Sequence, residues 1–273
     1  MPANDPRLDA VLAIAGEAAN AAMRFWAAGR RMERQWEKEP GQPVSDADLH
    51  VDALLRARLE ALIPQAGWLS EESVETPGRA ERRAAWVIDP IDGTRDFVRG
   101  RTGWAISIAL VEDGAVSIGI LAAPARGELW WAARGAGAWR NGARLRCGAH
   151  PTLSGARIPA DHLRGVDIDY VLVPKPNSIA LRMAMVAADE ADAVASIRWG
   201  AEWDIAAASL IAQEAGAVVT DVLGRPLHFN RPDPRALGIL CAVPPIHAAG
   251  VARLHDRAVA ILGEDKARPR RHE

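Results

Sequence analysis

Residues Trp86–Phe97 read WVIDPIDGTRDF, and this stretch decides how the rest of the chain is read. An apolar run, Ala84–Ile88, has the character of a strand. It leads into Asp89-Pro90-Ile91-Asp92-Gly93-Thr94, which predicts two carboxylates on one short, stiffened turn. Pro90 locks its own φ and biases Asp89 toward an extended backbone. Gly93 has no Cβ and lets the chain come close to a ligand. Two acids at fixed separation beside exposed N–H groups suit a hard divalent cation and a phosphate. Such cations take oxygen ligands, and Mg²⁺ sites combine carboxylates with substrate phosphate.

Outward from that turn, the bulk properties narrow the field. The chain has 273 residues, enough for one large domain or two modest ones, so it needs no disulfide or structural zinc. Its 33 basic and 35 acidic residues give a net charge of −2. This balance argues against a nucleic-acid polymer or a membrane surface as partner. Cys147 and Cys241 show no metal-ligand or CxxC spacing, so a reducing, cytoplasmic setting is expected, with a single disulfide as the alternative. There is no basic-then-apolar leader pattern and no apolar run of about 18 residues.

Hydrophobic spacing lays out the elements. Asp5-Pro6 opens a helix carrying Leu8, Val11, Leu12, Ala15, Ala19, Ala22 and Trp26, with Asp5 as cap and Pro6 at the first position. Ser45 opens a second helix with Val51, Leu54, Leu55 and Leu62. Trp104–Val111 and Ala115–Ala122 flank Asp113-Gly114, a hairpin signal. Leu129–Ala133 and the Asn141-Gly142 turn extend the antiparallel pattern. Beyond about Pro151 the pattern alternates: strand Tyr170–Val173, helix Ser178–Ala188, helix Trp203–Ala215 closed by Gly216, and strand Val218–Val222. An α+β half followed by an α/β half predicts two layered units meeting at a cleft.

The remaining acids each have an ordinary reading. Glu71-Glu72-Ser73 reads alone as a solvated turn or helix start. Asp204 in Trp203-Asp204-Ile205-Ala206-Ala207 complements a helix dipole. Asp48 forms a capping-box pattern with Ser45. Taken together they acquire another meaning, because each lies at the edge of an element, where cleft residues gather. Each like-charge pair at ~4 Å costs about 4 kcal/mol at an effective dielectric near 20, so four converging carboxylates call for about two divalent cations.

These segments resemble the inositol monophosphatase family of magnesium-dependent, lithium-sensitive phosphatases. The likeness rests on Glu71-Glu72-Ser73, Asp89-Pro90-Ile91-Asp92-Gly93-Thr94, and Trp203-Asp204-Ile205-Ala206-Ala207 with Glu214-Ala215-Gly216. It extends to Lys38, Val44–Asp48 and the glycines around Gly127–Gly142, nearly the whole chain. The resemblance implies a layered α/β/α/β/α fold. By it, residues 1–150 form an α+β domain with most metal ligands, 151–265 an α/β domain with Asp204 and the substrate contacts, and 266–273 a loose tail. The first Mg²⁺ would be held by Glu71, Asp89 and the Ile91 carbonyl, and the second by Asp89, Asp92 and Asp204. Glu71 and Thr94 would position the attacking water, Asp48 would assist at a third metal, and the N–H groups of Gly93 and Thr94 would grip the phosphate. A small phosphorylated substrate and a homodimer are further expectations. The chemistry agrees: no Cys-x₅-Arg loop and no Ser/His pair offers a side-chain nucleophile, whereas two metals can activate water for in-line displacement.

The leaving-group side is less defined. Inositol-specific members place a glutamate seven residues before the Trp-Asp aspartate, and this chain has Ile197 there. Glu202-Trp203-Asp204 and Ser178-Ile179-Ala180-Leu181-Arg182 look more like bacterial 3′(2′),5′-bisphosphate nucleotidases, with Ser178 and Arg182 as candidate substrate contacts. Lys175 is a candidate for a second phosphate, or a plain loop lysine. The expected activity is hydrolysis of adenosine 3′,5′-bisphosphate to AMP. Inositol 1-phosphate and histidinol phosphate are the alternative substrates, and a metal- or nucleotide-binding regulator without turnover is the alternative of another class.

Overall fold

The computed structural model describes residues 5–32, 35–39, 42–163 and 165–267. Helices α1 (Leu8–Met23) and α2 (Asp46–Leu62) are separated by a hairpin of β1 (Gln35–Glu39) and β2 (Gln42–Ser45). A seven-stranded sheet follows in simple spatial order: β3 (Gly67–Ser70), β4 (Ala84–Asp92), β5 (Ala105–Glu112), β6 (Ala115–Ala123), β7 (Glu128–Ala133), β8 (Gly137–Arg140) and β9 (Ala143–Arg144). Within this sheet only β3 and β4 pair in parallel. The short helix α3 (Thr94–Val98) leaves the end of β4.

The second part begins with a parallel pair, β10 (Arg157–Pro159) and β11 (Val171–Val173). Then come α4 (Ile179–Ala187), β12 (Ala193–Ala201), α5 (Glu202–Glu214), β13 (Val218–Thr220), β14 (Arg235–Ala242) and α6 (Pro244–Ala267). The last three strands form an antiparallel sheet with β14 in the middle.

Burial on both faces explains why the large-sheet strands are continuously apolar rather than alternating. Trp86, Ile88, Ile106, Ile118 and Ile120 pack with Val11, Ala15, Val51 and Leu55 of α1 and α2. From the opposite face, Val87, Ala109 and Leu121 join Met183 of α4 and Ile205, Ala208 and Ile211 of α5. That second core continues to Leu240 of β14 and Ile246 and Leu254 of α6. The layers are therefore α1–α2, the large sheet, α4–α5, the small sheet and α6, the α/β/α/β/α arrangement expected from the sequence. Residues from both expected halves build the core beneath α4 and α5.

Several boundaries differ from the sequence reading. Helix α1 starts at Leu8 because Arg7 is held outside it, its guanidinium on Asp5 and Glu112. Strand β4 continues through Pro90 to Asp92 where a turn was expected. Strands β12 and β14, and helices α3 and α6, were not anticipated. Of the expected tail, Lys266 and Ala267 end α6, whereas 268–273 lie outside the described residues. Residue 38 lies in β1, and its side chain falls outside the description. Among the described residues no helix is long and apolar enough to cross a membrane, and both cysteines are free thiols.

Candidate metal centre

The two aspartates of the opening motif reach one cleft because β4 is bulged. Three residues apart, they would point to opposite faces of a regular strand. Asp89 pairs with Ser107 and Asp92 with Ala105, so the register slips between them and both line the same concavity. The Asp89 carboxylate accepts the Ile91 N–H at 2.9 Å. The Ile91 carbonyl, also at the cleft, accepts the Thr94 hydroxyl at 3.0 Å. Gly93 departs from the sequence reading. Its φ of 92° is left-handed, and a Cβ there would lie 2.7 Å from the Gly103 carbonyl oxygen and 2.8 Å from the Ser178 nitrogen. The small residue serves a close approach of protein backbone.

Glu71 arrives through the parallel ladder. Ser70 pairs with Ile88, and the Glu71 N–H reaches the Ile88 carbonyl at 3.3 Å, so Glu71 leaves its strand beside Asp89. Asp204 arrives from the first turn of α5, where its carboxylate accepts the Ala201 N–H at 2.9 Å. The α5 start is tied to the sheet by the Ser107 hydroxyl, which donates to the Trp203 carbonyl at 3.2 Å. The helix lies directly on β6 at Gly119, where a Cβ would come 2.6 Å from the Ala207 carbonyl oxygen. Glu71, Asp89 and Asp204 thus each offer a carboxylate oxygen within 4.8 Å of the other two.

The electrostatics follow from this convergence. Burial, then Glu71, Asp92 and Asp204, hold the Asp89 carboxyl well above the usual range. Burial and Asp92 push Asp204 up to about 7, against the pull of the Ala201 N–H and Arg182. Burial also raises Asp92, although the Ser178 hydroxyl and Ala180 N–H bond it at 2.5 and 2.8 Å. Oxygen donors crowded together and held protonated beyond their normal range lack a positive charge. Such a donor set fits a hard divalent cation.

The other expected site residues fall in different places. Asp48 is buried and does not line this cleft. Its Oδ2 accepts the Ser45 N–H and hydroxyl at 2.8 and 2.6 Å, and burial pushes it up to about 6. Asp48 thus forms the expected cap, and its charge also helps to raise Asp89. Ser178 is fully buried: its Oγ accepts the Leu181 N–H, capping α4, and donates to Asp92. It stands behind Asp92 and makes no lining of the cleft. Arg182 is no solvated helix residue. It bonds the carbonyls of Asn177 and Ser178 and, with Ile197, lines a separate cavity of ≈ 290 Å³. Lys175 pairs with Asp161 at 2.5 Å.

The sequence reading missed four contributors. Arg95 and Asn177 also line the acid cleft, and Arg95 follows the motif directly. Buried Asp52 accepts the Ser70 hydroxyl at 2.5 Å, fixing the residue before Glu71. Glu202 was quoted only as part of a motif, yet it is an anchored buried acid. Nothing in the local sequence marks Asp52, because its partner is 18 residues away.

Comparison with known proteins gives this geometry its family. The inositol monophosphatase family model matches residues 4–260. Among curated relatives, a histidinol-phosphatase of Chlorobaculum parvum is 34% identical over 81% of this chain and 87% of its own length. An inositol-1-monophosphatase of Rhizobium meliloti is 37% identical over 68% and 75%. A 3′(2′),5′-bisphosphate nucleotidase CysQ of Aggregatibacter actinomycetemcomitans is 30% identical over 71% and 77%. Among solved structures, Thermotoga maritima IMPase TM1415 superposes with a TM-score of 0.79 at 28% identity, covering 94% of this chain and 100% of that one. The chain belongs to the inositol monophosphatase family, a family of metal-dependent phosphatases acting on small phosphorylated substrates.

Proposed function

We propose that this protein is a Mg²⁺-dependent phosphomonoesterase that uses two metal ions in the cleft of Glu71, Asp89, Asp92 and Asp204. The observation that carries the reading is the convergence of Glu71, Asp89 and Asp204, 133 positions apart in sequence at the extremes (204 − 71), on one point within 4.8 Å. Glu71, Asp89 and the Ile91 carbonyl would hold one ion, and Asp89, Asp92 and Asp204 the other. Bound magnesium supplies Lewis-acid charge to the phosphoryl group and acidifies water at neutral pH.

The chain's own groups do the rest. Thr94, fixed by its bond to the Ile91 carbonyl, and Glu71 orient the attacking water. Gly93 and Thr94 line the cleft at the start of α3, where the first N–H groups have no partner within the helix and suit phosphate oxygens. Arg95 adds positive charge at the same wall.

For the substrate, the reading is adenosine 3′,5′-bisphosphate. Ile197 offers no acceptor to polyol hydroxyls, and a bisphosphate nucleotidase is among the relatives. Histidinol phosphate is the second reading, favoured by the histidinol-phosphatase that aligns over 81% of this chain. The test is side-by-side kcat/KM on adenosine 3′,5′-bisphosphate, histidinol phosphate and inositol 1-phosphate with Mg²⁺. A first rank for either of the other two would displace the nucleotidase reading. Silence across a broad panel of phosphomonoesters, with verified metal binding, would favour a regulator without turnover.

A further inference from the structure

Behind the acid cleft lies a second, buried polar network that links the two segments bringing Glu71 and Asp204 together. Glu202, two residues before Asp204, is 1% exposed, and its carboxylate accepts the N–H groups of Asn230 and Arg231 at 2.6 and 3.1 Å. The Asn230 side chain faces the other way. Its Oδ1 accepts Arg79 Nη1 at 2.8 Å, and its Nδ2 donates to the carbonyls of Arg79 and Arg82 at 3.3 and 3.1 Å. Arg79 is 2% exposed and spends its remaining donors on Glu75 and the Arg231 carbonyl, both at 2.8 Å. Asn230 adopts a left-handed backbone (φ 60°), uncommon for a residue other than glycine.

The path runs from the segment after Glu71, through Glu75 and Arg79, across Asn230, to Glu202 and the first turn of α5. It bridges positions 79 and 202, whose chain connection passes through six strands of the large sheet and β12 of the small one. None of its members lines the acid cleft. Buried, charged and fully bonded groups are costly to assemble, and leaving one member without its partner costs more. A network of this kind fixes geometry where like charges push apart, and Glu71, Asp89 and Asp204 repel one another.

We propose that Glu202, Asn230 and Arg79 are positioning residues that hold Glu71 and Asp204 at metal-binding separation. This rests on the metal reading above. None of the three touches substrate or metal.

The test uses two substitutions in the full-length protein. Glu202→Gln keeps the shape and one acceptor but removes the charge. Asn230→Gly keeps the backbone bond to Glu202, suits the positive φ, and cuts the side-chain links to Arg79 and the Arg82 carbonyl. Mn²⁺ binding is measured by titration calorimetry, alongside the Mg²⁺ dependence of turnover and KM on a saturable phosphomonoester. The expected result is a Mn²⁺ affinity about tenfold weaker in both, the size of effect that outer-shell partners of metal ligands produce, with KM unchanged within about twofold. Weakening below threefold in a folded variant, even one of lowered thermal stability, overturns the proposal. If only one variant folds, it decides; if neither folds, the network serves stability alone and the proposal fails. Unaltered protein that does not bind Mn²⁺ would remove the metal reading itself, a separate failure.

Discussion

Replacing Asp204 by asparagine should make the metal-free protein more stable while weakening its response to magnesium. The magnitude follows from the geometry. Asp204 offers an oxygen within 4.8 Å of both Glu71 and Asp89. One pair of unit charges at that distance costs about 3.5 kcal/mol at an effective dielectric near 20. Independently, burial and Asp92 raise the Asp204 carboxyl from 3.8 to about 7. A shift of that size corresponds to about 4 kcal/mol at pH above 7. Solvent at the cleft mouth screens part of this, so a gain of about 2 kcal/mol, or roughly 4 °C in unfolding midpoint, is expected.

The sign is fixed by where the proton sits. Between the unfolded value of 3.8 and the folded value of about 7, the folded state keeps a proton the unfolded chain has lost. Stability therefore falls as pH rises through that window, and the asparagine variant escapes the fall. The asparagine oxygen can still accept the Ala201 N–H, so the helix cap is retained. Thermal unfolding of both proteins in EDTA should coincide near pH 4 and separate by pH 8. Saturating Mg²⁺ should then raise the midpoint of the unaltered protein more than that of the variant, which keeps the ligands of one ion. A variant less stable than wild type at pH 8 in EDTA, or equally stabilised by Mg²⁺, would refute the reasoning.

Three further outcomes are expected. Asp92→Asn should lower kcat by more than about a hundredfold, beyond the usual effect of losing an outer hydrogen bond, with the unfolding midpoint nearly unchanged, because asparagine can still accept from Ser178 and Ala180; wild-type turnover would take Asp92 out of the mechanism. Gly119→Ala should cost about 1–3 kcal/mol and depress kcat, since its Cβ would meet the Ala207 carbonyl and push α5, with Asp204, off the sheet; unchanged midpoint and kcat would show that α5 is not seated there. Millimolar lithium should inhibit phosphate release, as the resemblance of the sequence motifs implies, and insensitivity would indicate an altered second-metal pocket.

Local signals carried much of the fold and of the site. Asp113-Gly114 and Asn141-Gly142 sit where their turns were expected, each pair at positive φ, because a tight hairpin needs that backbone at both positions. Asp89, Asp92 and Asp204 were legible as cleft acids from compact motifs, and all three line the cleft. The bulge that turns Asp89 and Asp92 to one side was not legible, since it depends on pairing with Ala105 and Ser107. Strand β12 was hidden because its exposed, mixed sequence alternates poorly around a register slip between Ser196 and Trp199. Arg79 and Asn230 drew no reading from the sequence, and Glu202 only a place in a motif, because Asn230 lies 28 positions from Glu202 and 151 from Arg79. The Ser45–Asp48 cap was legible from its local spacing, and the structure forms it.

The most direct measurement is anomalous diffraction from crystals of the protein soaked in Mn²⁺. Ions should appear between the carboxylates of Glu71, Asp89 and Asp204, at about 2.1–2.2 Å from their oxygens, with the Ile91 carbonyl and Asp92 completing the protein ligands. Saturating Mn²⁺ with no anomalous peak in that cleft, or peaks only elsewhere on the surface, would contradict a metal-dependent phosphatase built on these acids.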